Sequence, residues 1–173
     1  MVVWFTGIPS AGKTTLSQRV HAELLAAGCN VRLLDGDLLR HQVSKDLGFS
    51  KADRDENIRR IAAVAGELAD TGVVVLVAAI APYRAVRDEV RHKLKNFTEV
   101  YVNAPLAVCE ARDVKGLYHK ARLGEVKGFT GVDDPYEPPL RPEVECRTDL
   151  ETIDESARKV IDYLRRRLPD TLG

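Results

Sequence analysis

A glycine-rich stretch near the beginning of the chain, GIPSAGKT at residues 7–14, has the residue types and spacing of a phosphate-binding loop. It matches the pattern G-x-x-x-x-G-K-[ST], follows a short apolar run and precedes a segment with helical periodicity. In that context, backbone amides and the positive end of a helix dipole point at a bound phosphate. Lys13 would reach the β- and γ-phosphates of a nucleoside triphosphate, and the Thr14 hydroxyl would ligate Mg²⁺. The motif therefore predicts phosphoryl chemistry on a nucleotide.

Two carboxylates end the next apolar run, in the stretch LDGD. Asp35 and Asp37 are two residues apart, and on an extended chain this spacing points both side chains the same way. Such a pair could hold Mg²⁺ through water and accept the proton of an acceptor hydroxyl. The alternative, that Asp37 caps a helix, stays open at this point. A third apolar run, VVVLVAAI, leads to Ala81 where an ATPase motor would carry an acid, so we expect the acidic groups to come from LDGD.

Four apolar runs alternate along the chain with segments of helical periodicity. The predicted strands lie within residues 2–6, 30–37, 73–80 and 99–104, and the predicted helices within residues 14–27, 55–72, 83–94 and 152–168. The last helix opens with a capping box from Thr152 to Glu155, carries Leu168 on its apolar face and ends before Pro169. This alternation predicts an α/β fold of three layers, with helices on both faces of a mainly parallel sheet.

One long segment, residues 112–142, breaks the alternation. It mixes charges, glycines and prolines with little periodicity, and a loop of this length in a compact protein is usually functional or disordered. Its first part is basic and contains Arg112, Lys115, Lys120, Arg122 and Lys127. The segment is predicted to be a lid over an anionic ligand, and a merely solvated loop is the alternative.

The composition limits the remaining classes of function. A chain of 173 residues suits one domain, spanning 1–173. Acidic and basic residues number 26 each, which gives no indication of a nucleic-acid partner. The distant cysteines at 29, 109 and 146 lack metal-ligand spacing and predict reduced core thiols in a cytoplasmic protein. No apolar stretch approaches the length of a membrane span, so we expect no membrane partner.

Five stretches of the sequence resemble the adenylylsulfate (APS) kinase family in order and spacing, and together they cover nearly the whole chain: WFTGIPSAGKTTL, LLDGDLLRHQVSKDLGFSKADRDENIRRI, PYRAVRD, YVNAPLAVCEARDVKGLY and GEVKGFTGVDDPYE. The resemblance implies a P-loop kinase fold that transfers the γ-phosphoryl of ATP to the 3′-hydroxyl of adenosine 5′-phosphosulfate. The products would be 3′-phosphoadenylyl sulfate (PAPS) and ADP, in sulfate assimilation. It also implies a homodimer, and it leaves open whether the chain works alone or beside a sulfurylase partner.

The resemblance assigns site roles by position. The residues expected to bind ATP are Gly7, Ser10, Ala11, Gly12, Lys13, Thr14, Thr15 and Arg112. Those expected to bind APS are Asp37, Arg40, Phe49, Arg54, Asn57, Ile80, Ala81, Lys115, Gly128 and Phe129. Catalysis is expected from Lys13, Asp35 and Asp37, and the Mg²⁺ ligands are expected to be Thr14 and, partly through water, Asp35.

The residue types suit these roles. Arg40, Arg54 and Lys115 offer cations to a phosphosulfate, and the two arginines can do so with paired donors. Phe49 and Phe129 are aromatic rings in polar loops, and stacking on a base is worth about 1–3 kcal/mol in nucleic-acid proteins. We expect the two rings to flank one adenine, the alternative being that each ring packs in a local core beneath its loop.

The residue before PYR in many members of the family is a serine, described there as a phosphoserine intermediate. In this chain it is Ala81, which carries no nucleophile, so the expected transfer is direct from ATP to the acceptor. Two other functions stay open at this point. One is a P-loop kinase for a different small molecule, such as gluconate or shikimate, and the other is a nucleotide-binding regulatory domain derived from a kinase.

Overall fold

The computed structural model describes residues 1–167, and its centre is a five-stranded sheet. The strand order is β2-β3-β1-β4-β5, and all four neighbouring pairs are parallel. The strands are β1 (Val2–Thr6), β2 (Val31–Asp35), β3 (Val74–Ala78), β4 (Phe97–Asn103) and β5 (Val144–Arg147). The predicted parallel α/β architecture is confirmed.

Seven helices connect or flank these strands in the described residues. They are α1 (Lys13–Ala26), α2 (Gly36–Val43), α3 (Lys51–Asp70), α4 (Arg84–Lys93), α5 (Leu106–Arg112), α6 (Leu117–Arg122) and α7 (Ile153–Arg167). The capping box at the start of α7 forms as predicted, since Thr152 Oγ1 accepts from Glu155 N at 3.3 Å and Thr152 N donates to the Glu155 carboxylate at 2.8 Å. Leu168 and Pro169 lie outside the described residues.

Each face of the sheet has its own hydrophobic core because side chains alternate along the strands. In β1, Val3 and Phe5 face a core shared with α1, α5, α6 and α7. The alternate residues, Val2 and Trp4, face a core shared with α2, α3 and α4. All five residues of β1 are buried, as expected for a central strand covered on both faces. The three layers are therefore helix, sheet and helix.

Four elements were absent from the sequence prediction: α2, α5, α6 and β5. Three of them have between four and seven residues, which is too short for a hydrophobic period to be recognised. The fourth, α2, begins at Gly36 inside the stretch predicted as strand, so β2 ends at Asp35. This earlier end changes the geometry of the two candidate acids, described below.

The 112–142 segment is more ordered than its composition indicates. It contains α6, which buries Tyr118 and Ala121, and a bridge that pairs Thr130 with Asp134. The Tyr118 hydroxyl donates to the Pro9 carbonyl in the phosphate loop at 2.9 Å. Much of this segment is thus packed against the body of the protein.

Two compositional expectations can be compared with the structure. The three cysteines are buried, and burial raises the pKa of each thiol, that of Cys146 to about 12. In the described part of the chain, no helix is both long and apolar enough to cross a bilayer. That residues 1–173 form one domain stays a prediction.

The packing of α1 beneath the phosphate loop can be tested with two leucines of that helix. Leu16 is fully buried, whereas Leu25 is 57% exposed. Leu16→Ala is expected to lower the free energy of unfolding by about 2–5 kcal/mol because it removes buried methyl groups and leaves a cavity. Leu25→Ala is the matched control, with a change below about 0.5 kcal/mol. Urea unfolding without nucleotide measures both, and equal losses would contradict the assigned packing.

Candidate active site

A cavity of about 790 Å³ opens at the carboxyl edge of the sheet. Such an edge is where ligands bind in parallel α/β proteins. Its wall combines the phosphate loop, the ends of β2 and β3, the start of the 112–142 segment and the start of α7. Of the sequence-predicted site residues, it is lined by Ser10, Gly12, Lys13, Thr14, Thr15, Asp35, Asp37, Ile80, Arg112, Lys115 and Phe129.

The phosphate loop runs from buried β1 directly into α1. Gly12 caps the helix with φ of 102°, a left-handed conformation that glycine adopts without steric penalty. The first amides of α1 have no acceptor within the helix, and the first turn contains no acidic side chain to receive them. Gly12, Thr14 and Thr15 line the cavity, so this helix end is available to an anion.

Lys13 is the first residue of α1, and its side chain bonds back to the start of the phosphate loop. Its ammonium donates to the carbonyl oxygens of Gly7 at 2.9 Å and Ile8 at 2.8 Å. Burial lowers the pKa of Lys13 from its ordinary value to about 8, and the nearby Asp37 carboxylate opposes part of this shift. A bound polyphosphate would add negative charge next to this ammonium and favour its charged form.

The structure corrects both expectations for the two acids, the shared extended stretch and a helix cap by Asp37. Asp35 and Asp37 do not share an extended stretch, because α2 begins at Gly36 between them. The helix cap is Asp35 and not Asp37: Asp35 Oδ1 accepts from Asp37 N at 2.9 Å and from Leu38 N at 3.2 Å. Both carboxylates nevertheless line the cavity.

Gly36 explains how the two acids approach the end of β3. A methyl group at this position would come within 2.8 Å of the Ala79 methyl and 2.9 Å of the Ala78 carbonyl oxygen. Gly36 therefore packs directly against the backbone at the end of the neighbouring strand. The first turn of α2 is therefore held against the cavity wall.

The 112–142 segment contributes the cation of Lys115 to the cavity wall. The Lys115 ammonium is paired with the Asp37 carboxylate, and both side chains are largely exposed, at 63% and 70%. An ion pair this exposed contributes little to stability. It places Lys115 of the basic segment next to the candidate acid.

Arg112 is expected on the ATP side, and its contacts surround the phosphate loop. Its guanidinium donates to the Thr148 carbonyl oxygen at 2.6 Å and to the Thr148 hydroxyl at 3.2 Å. The same hydroxyl donates to the Ala11 carbonyl oxygen at 2.7 Å. The sequence analysis did not identify Thr148 as a site residue. It follows the strand β5, which is too short to be recognised from its hydrophobic pattern. Ile153, which follows Thr152 of the α7 capping box, also lines the cavity, and the capping box was a signal that could have identified it.

The predicted acceptor residues fall into two groups. Ile80, Lys115, Asp37 and Phe129 line the cavity. Arg40, Phe49, Arg54, Asn57, Ala81 and Gly128 are not among the described residues that line it. Asn57 lies on α3, and its buried side-chain oxygen has no hydrogen-bond partner in the described structure.

Both arginines of the second group are bonded within the protein. Arg40 donates to the carbonyl oxygen of Gly48, and its guanidinium lies 4.4 Å from the centre of the Phe49 ring. Arg54 donates to the Gly128 carbonyl oxygen and, at 2.7 Å, to the Thr130 hydroxyl. Arg54 thereby ties α3 to the middle of the 112–142 segment.

The two aromatic rings occupy different environments. Phe49 is 69% exposed. Phe129 packs edge-on against Tyr118, with 5.0 Å between ring centres and 84° between planes. Phe129 thus matches the local-core alternative in part while still lining the cavity. That the two rings flank one adenine stays a prediction.

Ala81 lies in the turn that follows β3. It is 1% exposed and has φ of 45°, a left-handed conformation that costs an L-residue about 1–2 kcal/mol. Strain of this kind persists only where surrounding contacts hold the backbone. Ile80, the preceding residue, reaches the cavity itself.

The donor set of the cavity suits Mg²⁺ bound together with phosphates. Thr14 and Asp35 supply hard oxygen atoms, which this ion prefers, and the α2 cap uses only one of the Asp35 oxygens. Within the described residues, no cluster of three or more His, Cys, Asp or Glu side chains could hold a metal alone. Mg²⁺ held by Thr14 and Asp35 would take its remaining oxygen ligands from water and phosphates.

Comparisons with known proteins agree with this arrangement. A model of the adenylylsulphate kinase family matches residues 1–147. The chain is 61% identical over 164 residues to the adenylyl-sulfate kinase of Microcystis aeruginosa, covering 95% of this chain and 91% of that protein. It is 59% identical to the adenylyl-sulfate kinase of a Picosynechococcus species, covering 95% and 93%.

A solved structure also resembles this one. The APS kinase CysC of Mycobacterium tuberculosis, in complex with AMPPNP and APS, superposes with a TM-score of 0.91 at 47% identity, over 95% of this chain and 96% of that one. The family match spans most of the sequence, and the relatives align over nearly their whole length. The chain belongs to the adenylylsulfate kinase family.

Proposed function

We propose that this protein transfers the γ-phosphoryl group of ATP to the 3′-hydroxyl of APS, giving PAPS and ADP. The observation that carries the proposal is the single cavity in which the phosphate loop, Asp37 and the lid residue Lys115 meet. The Mycobacterium tuberculosis relative was solved with APS and an ATP analogue, and this chain shares its fold closely. A triphosphate on the loop would direct its terminal phosphate toward Asp37.

The donor side of the reaction uses positive charge that is already in place. The amides at the start of α1 and the Lys13 ammonium would hold the β- and γ-phosphates, while Arg112 would face the base. Mg²⁺, when bound through Thr14 and water on Asp35, supplies further charge neutralisation on the transferring group. The oriented amides and Lys13 act without reorganisation because the protein fixes them beforehand.

The acceptor side depends on Asp37. Its carboxylate would orient the 3′-hydroxyl and accept the proton as the oxygen attacks phosphorus. Lys115 now pairs with this carboxylate and would exchange it for the phosphosulfate of APS, while Arg40 and Arg54 would supply further cations. Phe49 and Phe129 would flank the adenine, and Asn57, Ile80, Ala81 and Gly128 would complete the acceptor pocket. Closure of the lid would exclude water, which would otherwise compete as acceptor.

The proposal extends to the setting of the reaction. We expect direct in-line transfer, because the alanine before PYR offers no oxygen to phosphorylate. We also expect a homodimer in the cytoplasm and a sulfurylase, fused or separate, as supplier of APS. Sedimentation analysis of the purified chain tests the dimer.

Two alternatives are separated by one assay. A kinase for gluconate or shikimate would share the phosphate loop and an acidic pair, but it would have no use for two aromatic loops flanked by arginines. A regulatory domain would bind ATP without turnover. Coupled ADP release in the presence of Mg²⁺ is expected with APS and not with sugar acids. ATP binding without turnover on APS would favour the regulatory function.

Replacing Asp37 tests the acid–base role. Asp37→Asn is expected to lower kcat by about 10²–10⁴-fold, since the amide cannot accept the proton. Nucleotide binding, measured by calorimetry, should change little because the phosphate loop is untouched. Asp70→Asn, at the far end of α3, is the control for loss of one carboxylate and should behave like the unaltered protein. Near-normal turnover of Asp37→Asn would remove this residue from the chemistry.

Replacing the alanine before PYR tests direct transfer. Ala81→Ser places a hydroxyl at the position of the family serine, and we expect kcat to change by less than about tenfold, below the range for an acid–base contribution. Intact-mass spectrometry after incubation with ATP should show no phosphoenzyme. Ala79→Ser, two residues earlier in the chain and on the cavity wall, is the matched control. A large gain in kcat confined to Ala81→Ser would show that a hydroxyl there performs a step we assign to Asp37.

A further inference from the structure

Arg87 of α4 is a buried arginine outside the cavity, and its side chain is only 3% exposed. Each of its three nitrogens donates to a different acceptor. Nε donates to the Glu99 carboxylate at 2.8 Å, Nη1 to the Ala81 carbonyl at 2.6 Å, and Nη2 to the Glu137 carbonyl at 2.6 Å. Because Glu99 balances the positive charge of the guanidinium, Nη1 and Nη2 can bond to backbone carbonyl oxygens.

The first of these carbonyls, that of Ala81, belongs to the turn that follows the cavity-lining residue Ile80. Ala81 has the strained φ described above, and the adjacent Ile80 lines the cavity. The Ile80 carbonyl is held from the other side by the Thr6 hydroxyl, which donates to it at 2.6 Å. Arg87 and Thr6 thus fix two successive peptide groups of this turn. A strained turn needs such fixed contacts to persist.

The second carbonyl belongs to the end of the lid segment, residues 134–138, which we call the lid anchor. Glu137 N donates to the Pro82 carbonyl at 2.8 Å, and the Glu137 carboxylate accepts from Arg84 N at 2.7 Å. The Tyr83 hydroxyl donates to the Asp134 carboxylate at 2.9 Å. The lid anchor therefore lies along the turn at residues 80–84, and Arg87 bonds to both.

We propose that Arg87 is a positioning residue for the acceptor substrate: its guanidinium ties the turn at Ala81, next to the cavity-lining Ile80, to the lid anchor. The inference rests on the proposed function, in which this part of the cavity receives APS. A planar guanidinium directs three separate nitrogens at a carboxylate and two carbonyls, whereas the three donors of a lysine ammonium all start from one nitrogen. The residue does not touch the phosphate loop in the described structure, so its effect should be confined to the acceptor.

The chain offers a matched control in Arg91, one helical turn further along α4. Arg91 pairs with the same Glu99, at 3.1 Å, and with Glu143. It shares the charge network of Arg87 without bonding to the turn or to the lid anchor among its described contacts. Arg87→Lys and Arg91→Lys both keep the positive charge. The first removes hydrogen bonds to the backbone of the turn and the lid anchor, and the second removes hydrogen bonds to carboxylates only.

Steady-state kinetics of the full chain with ATP and APS tests the proposal. Arg87→Lys should raise the KM for APS by about tenfold or more, because a small misplacement of a distant group is enough to disturb the position of a substrate. The KM for ATP and the affinity for MgADP should stay within about twofold of the unaltered protein. Arg91→Lys should leave all three unchanged. If Arg87 had only a structural role, Arg87→Lys would lower the unfolding midpoint without a selective effect on the KM for APS.

Equal effects of Arg87→Lys on both substrates, or an unchanged KM for APS, would overturn the positioning role while leaving the proposed function intact. Absence of turnover by the unaltered chain would instead overturn the proposed function, and this inference with it. Should Arg87→Lys not fold, Thr6→Val removes the other donor to the same turn. It should raise the KM for APS selectively, and an unchanged value would overturn the proposal.

Discussion

Strand β1 is hydrogen-bonded on both sides in parallel register, to β3 and to β4. Because every residue of β1 is buried, the phosphate loop that follows it begins at a fixed point in the sheet. The same register brings the last residues of β2 and β3, Asp35 and Ala78, side by side at the carboxyl edge. Residues distant in sequence thus converge on the phosphate loop because the strands run in one direction.

Charge at this edge is local, although the whole chain is neutral. In the described residues, the cations of the cavity are bonded within the protein: Lys13 to loop carbonyls, Arg112 to Thr148 and Lys115 to Asp37. These bonds keep the cations in place before any substrate arrives. A phosphate then exchanges partners with groups that are already oriented, which lowers the entropy lost on binding. Preorganised charge of this kind is the usual source of phosphoryl-transfer catalysis.

The sequence predicted the features that repeat or that carry a motif. The phosphate loop, the four longer strands and the capping box of α7 could all be recognised because periodicity and spacing encode them locally. The Asp35 cap could not, since its helix begins inside an apparent strand and is identified only by the two amides that Asp35 Oδ1 accepts. Thr148 depends on a four-residue strand, and Arg87 on contacts with residues 6 and 50 positions away. Such contacts have no local signature.

The 112–142 segment divides into a part that is held and a part that is exposed. Tyr118 bonds to the phosphate loop, Arg54 to Gly128 and Arg87 to Glu137. Val114 and Lys115, by contrast, project from a short stretch between Asp113 and Gly116, both of which have positive φ. An exposed pair such as Lys115–Asp37 is worth at most about 1 kcal/mol, so it can break in each catalytic cycle. The proposed function needs a weak bond here, because it assigns to Asp37 the proton of the acceptor hydroxyl.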